Sequence, residues 1–231
     1  LQQGHVISVR RATPSTRIVR LRPERLPFNY RPGQGAELGP PGASDLSPYS
    51  IASAPEDAAA EGYLEFLIKV DAQERWGEGF DPLHRGQRLR MRGPFGRFVF
   101  PDRPVEKRFL FIAGGTGIAP LRAMVRHARA RTDSSFRLLY SARTPDDFAY
   151  RRELCGMARR GELQLTLTAT RGVHKGWRGE RGRISAAQLA ALIDDPATLC
   201  FVCGPAAMVD EVPQMLSDLG IDRPRINVEE W

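Results

Sequence analysis

The sequence predicts two units in series, an antiparallel β-barrel followed by a doubly wound α/β sheet, and three observations carry that prediction. From Gly4 to about Phe100 the apolar residues fall in short runs broken by Pro and Gly, the texture of a small antiparallel barrel. Beyond Pro101-Asp102-Arg103-Pro104, strand-like and helix-like runs alternate, as in a parallel sheet wound on both sides. Finally, the run 109–113 ends in a glycine cluster and continues as Leu121, Met124, Val125 and Ala128 at helical spacing, which reads as strand, phosphate loop and helix.

Taken in order, the first half offers strands at His5–Val9, Thr16–Leu21, Tyr63–Val70 and Arg88–Arg92. Arg31-Pro32-Gly33-Gln34-Gly35 and His84-Arg85-Gly86-Gln87 read as turns entering strands. Ala54 to Gly62, rich in Ala and acids, reads as an exposed connection. The boundary at Pro101–Pro104 divides the chain into 1–102 and 103–231. In the second part strands are expected at 109–113, 136–141, 163–169, 198–203 and 225–229. Pro145-Asp146-Asp147 opens one helix, Ser185 caps another before Leu189 and Leu192, and Pro205 opens a third carrying Met208, Val212 and Leu216.

Composition narrows the function classes. With 231 residues and 26% of them charged, the chain has the make-up of a folded globular enzyme. No stretch approaches the roughly 20 apolar residues of a membrane span, and Leu1-Gln2-Gln3-Gly4-His5 lacks the features of a leader, so a cytoplasmic protein is expected. Three cysteines, Cys155, Cys200 and Cys203, argue against a disulfide framework. Cys200-x-x-Cys203 has the spacing of half a metal site, but no second pair or nearby histidine completes it, and no metal is expected. The formal charge of +7 comes from arginines scattered through both halves with few aromatics among them. That pattern suits a solvated basic surface or an acidic partner protein better than a nucleic-acid groove.

Gly114-Gly115-Thr116-Gly117 is the first candidate site. Glycines permit positive φ and close approach of a ligand, while free N–H groups opening a helix favour an anion. The spacing departs from the usual Gly-x-Gly-x-x-Gly because Pro120 holds the last position.

Four motifs in order extend this: Pro48-Tyr49-Ser50-Ile51-Ala52-Ser53, Gly93-Pro94-Phe95-Gly96, Gly114 to Pro120, and Cys203-Gly204-Pro205, with Asn227-Val228-Glu229-Glu230-Trp231 as a fifth. Together they resemble the ferredoxin-NADP reductase family. The resemblance implies a six-stranded flavin-binding barrel and a nicotinamide-nucleotide domain, FAD and NADPH as cofactors, and a monomer. It places Tyr49 and Ser50 along the flavin, with Ile68, Lys69, Gly77 and Gly79 on the same side. It gives the dinucleotide to Gly114, Gly115, Thr116, Gly117, Pro120, Gly204, Pro205 and Met208. Thr170 and Arg171 fall where NADPH-specific members carry a hydroxyl and an arginine; Arg143, Lys175 and Arg178 accompany them, and Tyr150 resembles the family's aromatic near the adenine.

By the same resemblance, hydride passes from nicotinamide C4 to flavin N5 and electrons then leave singly to a ferredoxin- or flavodoxin-type carrier. Cys203 packs beside C4, Ser50 reaches the N5 region, Glu229 completes the polar cluster, and Trp231 stacks on the flavin and must move aside. Two departures weaken the flavin grip. Ser47 stands where the family carries an arginine for the flavin phosphate, and Gly77-Glu78-Gly79-Phe80 has Phe80 in a hydroxyl position. Losing such a clamp costs about 1.5–3 kcal/mol unless Lys69, Arg75 or Arg85 replaces it, so FAD is expected to bind less tightly, with FMN as an alternative. Rival readings are a reductase component for an oxygenase, a haem protein or free flavin, and a nucleotide-binding regulatory subunit with a decayed flavin site.

Overall fold

In the computed structural model, which describes residues 1–77 and 81–230, the chain divides into two compact units. The first is Leu1–Phe100 together with Arg122–Ala128, and the second is Pro101–Leu121 with Arg129 onward. The first unit is a six-stranded antiparallel sheet built from β1 (Gln2–Thr13), β2 (Thr16–Pro23), β3 (Gly35–Gly39), β4 (Ser47–Ser50), β5 (Leu64–Lys69) and β6 (Arg88–Phe95), in the order β4-β3-β6-β1-β2-β5. β1 is long enough to pair with β6 over Gln2–His5 and with β2 as far as Thr13, and register shifts at Val6/Ser8 and Arg11/Thr13 bend it. The ends of the sheet meet through the Ile51–Phe66 bridge and the Ala52 N–H, which donates to the Glu65 carbonyl at 2.7 Å. That closes a barrel around Val6, Val19, Leu21, Leu38, Ile51, Phe66, Ile68 and Met91, which point inward by the two-residue period of their strands.

Between β4 and β5 lies α1 (Pro55–Glu61), where the sequence reading expected an exposed connection. Its start signals are present: Pro55 occupies the first turn, where no N–H is needed, and the Asp57 carboxylate accepts the Ala54 N–H at 3.2 Å. Gly62, at φ 70, ends it by donating to the Ala58 carbonyl. β3 follows the turn Arg31–Gly35, which the sequence reads as entering a strand, and β4 is a further addition, its short stretch carrying too few apolar residues to register as a run.

The second unit is a parallel sheet of β7 (Arg108–Gly114), β8 (Ser135–Ala142), β9 (Gln164–Ala169), the two-residue β10 (Glu180–Arg181), β11 (Leu199–Gly204) and β12 (Ile226–Glu230), ordered β10-β9-β8-β7-β11-β12. α2 (Ile118–Arg131) links β7 to β8, whereas α5 (Ala206–Asp218) links β11 to β12. The two crossovers run outward in opposite directions, so right-handed connections put their helices on opposite faces. α5 and α4 (Ala186–Ala190) cover Leu110, Ile112, Cys200 and Val202. On the other face Phe111 stacks on Phe201 at 5.5 Å and Phe109 on Phe136 at 5.7 Å.

Pro145–Asp147 forms a single 3-10 turn, its carboxylate at Asp147 accepting from the Thr144 N–H and hydroxyl. The expected helix, α3 (Arg151–Arg159), begins later, because buried Phe148 is extended and Tyr150 takes φ 58. No helix among the described residues is long and apolar enough to cross a membrane.

Opposite the strand ends that carry the glycines, Arg137 clamps Asp194 with both guanidinium arms (Nη1 to Oδ1 2.8 Å), and Arg108 Nε reaches the same carboxylate at 3.1 Å. Hydrogen bonding from Arg137 holds Asp194 down to about 2. A depressed carboxyl contributes stability above its ordinary range and loses it as pH falls through its folded value. The stability gap between wild type and Asp194→Asn is therefore expected to be open at pH 7 and to close between about pH 4 and pH 2. Chemical denaturation across that range reads it, and a gap that widens on acidification contradicts the assignment.

Candidate functional site

In the parallel sheet, β7 and β11 are neighbours whose outgoing helices diverge, so the crevice at their carboxyl ends is the topological switch point where open α/β sheets take ligands. Two glycine loops meet there. A Cβ on Gly117 would lie 2.2 Å from the Cys203 carbonyl oxygen, and one on Gly114 would lie 2.8 Å from Pro205 Cδ and 2.9 Å from Met208 Sδ. Gly204 is as crowded, by Met208 Cε and Gly114 Cα. Gly115 differs: it is exposed, at φ 56, with open space where a side chain would be, and its carbonyl accepts the Tyr140 hydroxyl at 3.0 Å. Three glycines thus pack the loops together and the fourth faces outward. The 3-10 turn Gly115–Gly117 runs directly into α2, an arrangement whose opening N–H groups suit an anion. Pro120 is buried in the first turn of α2, where its missing N–H costs nothing, and acts on the loop through backbone shape.

Cys203 closes one wall. It sits in register with Glu229 on β12, and the pair is brought together by parallel pairing across 26 positions of sequence. Burial, with the Glu229 charge adding to it, pushes the Cys203 thiol well above its ordinary range, so at neutral pH it is a protonated dipole and no nucleophile. Cys200, pushed up to about 12 by burial, lies on the opposite face with Val202. Three-residue spacing in a strand sends the two sulfurs to opposite sides of the sheet, and among the described residues no group of three His, Cys, Asp or Glu could hold a metal. In the native protein iodoacetamide is expected to label partly exposed Cys155 and to spare Cys200 and Cys203 until denaturant is added. Labelling of Cys203 as fast as Cys155 contradicts its burial.

One strand over, the loops after β8 and β9 come together. The Thr170 N–H donates to the Ala142 carbonyl at 3.0 Å and the Arg171 N–H to the Arg143 carbonyl at 2.6 Å. Both arginines are exposed, and neither meets a carboxylate among the described residues. Lys175 and Arg178 are exposed further along the same loop. Within this basic loop one residue is anchored: Trp177 is buried, stacks on Phe148 at 5.3 Å, lies under the Arg151 guanidinium, and donates to the Glu180 carbonyl at 2.8 Å. A single large aromatic inside a run of cations was the available signal. Tyr150, at the start of α3, is largely buried.

In the barrel, Tyr49 and Ser50 lie on β4, and Ser50 is buried beside Gly35. Continuing the Ile51–Phe66 bridge outward would set Tyr49 opposite Ile68, yet no ladder joins β4 and β5 there among the described residues. This unpaired stretch falls at residues the resemblance gives to the flavin, Tyr49 on one strand and Ile68 and Lys69 on the other. The Ile68 side chain belongs wholly to the barrel core, leaving its backbone to face a ligand. Lys69 is exposed. The Tyr49 hydroxyl donates to the Trp76 carbonyl at 2.7 Å, next to Gly77, and burial pushes it up to about 12. Arg75 Nε donates to Asp71 at 2.7 Å in an exposed pair. Ser53, in the same motif, is structural, accepting the Glu65 N–H and meeting Tyr30. Gly79, with Glu78 and Phe80, and Trp231 lie outside the described residues.

The residues present fit both groups. The outward-facing Gly115, the crowded glycines behind it and the opening of α2 form a cradle that any added Cβ would fill or distort. Where no ladder joins β4 and β5, strand backbone groups are left to a flat polar ring.

Comparison with known proteins agrees with this division. Residues 3–100 match the model of the oxidoreductase FAD-binding domain and residues 111–214 that of the oxidoreductase NAD-binding domain. Ferredoxin–NADP reductase B of Sorangium cellulosum is 34% identical, the match covering 99% of this chain and 97% of that one. The glycine betaine monooxygenase reductase subunit of Pseudomonas aeruginosa is 32% identical, and there the match covers 87% of this chain but only 56% of the relative. Among solved structures, the ferredoxin reductase in carbazole 1,9a-dioxygenase superposes with a TM-score of 0.84 at 28% identity, over 99% of this chain and 68% of that one.

Proposed function

The chain belongs to the ferredoxin–NADP reductase family of flavoprotein oxidoreductases, and from that premise we propose that it passes reducing equivalents between NADPH and a separate one-electron carrier of ferredoxin or flavodoxin type. The observation that carries this reading is the glycine cradle at the switch point with Cys203 in its wall. When bound, FAD supplies the conversion between a two-electron hydride donor and one-electron acceptors. The protein's share is placement. Gly115, Thr116 and the opening amides of α2 hold the pyrophosphate, and Arg143 and Arg171 take the 2′-phosphate as a pair of unspent cations. Cys203, held protonated by burial, lines the nicotinamide pocket as a neutral group and keeps water from it. Tyr49 and Ser50 hold the flavin along the β4 seam.

The near end-to-end similarity to the Sorangium reductase supports the ferredoxin-type acceptor, and the basic surface suits an acidic carrier. The absorbance spectrum of the purified protein before and after anaerobic NADPH tests the core of the proposal. A yellow protein bleached by NADPH is expected; a colourless one that takes up neither FAD nor FMN overturns it. A second reading, the reductase of an oxygenase, draws on the Pseudomonas relative. Cytochrome c reduction with and without added ferredoxin, compared with direct reduction of an oxygenase component, separates the two.

A further inference from the structure

The Tyr49 hydroxyl donates to the Trp76 backbone carbonyl at 2.7 Å, with the Ser47 side chain as a second neighbour, so whatever fixes Trp76 bears on its direction. Trp76 closes the turn 71–77, and that turn is built with care. The Asp71 carboxylate accepts the N–H groups of Gln73 and Arg75, each at 2.9 Å, and the Asp71 N–H donates to the Arg75 carbonyl at 2.9 Å. Trp76 packs in the barrel core, its indole N–H donates to the Asp81 carbonyl at 3.1 Å, and its ring tilts against Tyr49 at 5.9 Å.

Within this turn Glu74 adopts φ 63, a left-handed conformation that a non-glycine residue takes only under strain. Glycine would fit it better, so the side chain must give something in return. The carboxylate leaves the turn and meets Arg17 on β2, accepting from Nε at 2.7 Å and from Nη2. Arg17 is nine-tenths buried, and its remaining arm donates to the carbonyls of Thr16 at 2.8 Å and Thr13 at 3.2 Å. A rigid fork with every arm engaged ties the tip of the turn to the barrel wall.

We propose that the Arg17–Glu74 pair is a positioning device for the flavin site: it fixes the 71–77 turn and, through the Trp76 carbonyl, aims the Tyr49 hydroxyl. This rests on the flavin reading above and adds to it two residues that touch no cofactor. Arg17 and Glu74 act on the ligand through Trp76 and Tyr49.

The test is FAD titration of wild-type apoprotein and of Glu74→Gly, Arg17→Lys, Tyr49→Phe and the Glu74→Gly/Tyr49→Phe double variant, each with its thermal midpoint. Glu74→Gly relieves the left-handed strain, so it is expected to melt no more than a few degrees from wild type while its Kd for FAD rises about tenfold. Arg17→Lys, which keeps the charge but loses the fork, is expected to fall between the two. Because the pair acts through the Tyr49 hydroxyl, the double variant is expected to bind no more weakly than Tyr49→Phe alone. Equal FAD affinity for wild type and Glu74→Gly, or losses that simply multiply in the double variant, overturns the proposal and leaves the flavin reading standing. Wild-type apoprotein that takes up no FAD overturns the flavin reading itself.

Discussion

Gly117→Ala is expected to weaken nicotinamide-nucleotide binding by at least about a hundredfold, close to 3 kcal/mol, and to lower the thermal midpoint of the parallel-sheet unit. The new Cβ would stand 2.2 Å from the Cys203 carbonyl oxygen, 2.5 Å from its carbonyl carbon and 2.9 Å from the Gly204 nitrogen. All three are backbone atoms of β11, the strand paired directly with β7, and no rotamer change moves them. The loops must separate, which dismantles the crevice at its floor. Two other substitutions grade the argument. Gly204→Ala meets the mobile end of Met208 first, at 2.2 Å, so part of its collision is relieved by a side-chain swing and a smaller loss is expected. Gly115→Ala meets nothing within 4 Å but inherits φ 56, at a backbone cost of about 1–2 kcal/mol. Nucleotide titration and differential scanning calorimetry on the three variants read the order; wild-type affinity in Gly117→Ala would mean that the ligand does not use this crevice.

The ranking of those glycines also marks where sequence reasoning ends. The motif Gly114–Pro120 announced a phosphate loop because a buried strand, glycines and helical spacing follow one another locally. Which glycine faces a ligand and which only lets two strands approach depends on Cys203, some 86 positions away, and on Met208. β7, β8 and β11 were legible because each is an apolar run between breakers. β4 was not, since Ser47-Pro48-Tyr49-Ser50 carries one aromatic and a proline, and edge position rather than hydrophobic period makes it a strand. α1 went unread although Pro55 and Asp57 mark its start, because seven residues give too few turns for a helical period to appear.

Cysteine spacing misleads for a related reason. Cys200 and Cys203 look like ligands in a line of text, and only the strand's alternation sends them apart. Conversely, the proximity of Cys203 and Glu229 is a matter of register between two strands that no local pattern encodes. The same holds for Arg17 and Glu74, separated by 57 positions. Motifs mark candidate residues, whereas the partners that support them are set by register and strand pairing and carry no local mark.

Arg171→Ala is expected to lower kcat/KM for NADPH by about 10- to 100-fold and to leave NADH within about twofold. A guanidinium on a phosphate makes charge-assisted hydrogen bonds worth about 1.5–3 kcal/mol, and only NADPH carries the 2′-phosphate. Two features favour Arg171. Its amide is pinned to the Arg143 carbonyl at 2.6 Å, so backbone bonding holds two cations on adjacent loops although they repel. Neither guanidinium is neutralised by a carboxylate among the described residues, whereas Arg108, Arg137 and Arg183 elsewhere in this unit all are. Arg143→Ala is expected to act in the same direction, with the double variant showing less than the product of the two losses because the arginines share one ligand. Raising the ionic strength is expected to raise KM for NADPH in wild type and to do so much less in the double variant. Equal losses for both coenzymes would place Arg171 in general nucleotide binding, and unchanged kinetics with either would remove it from the site.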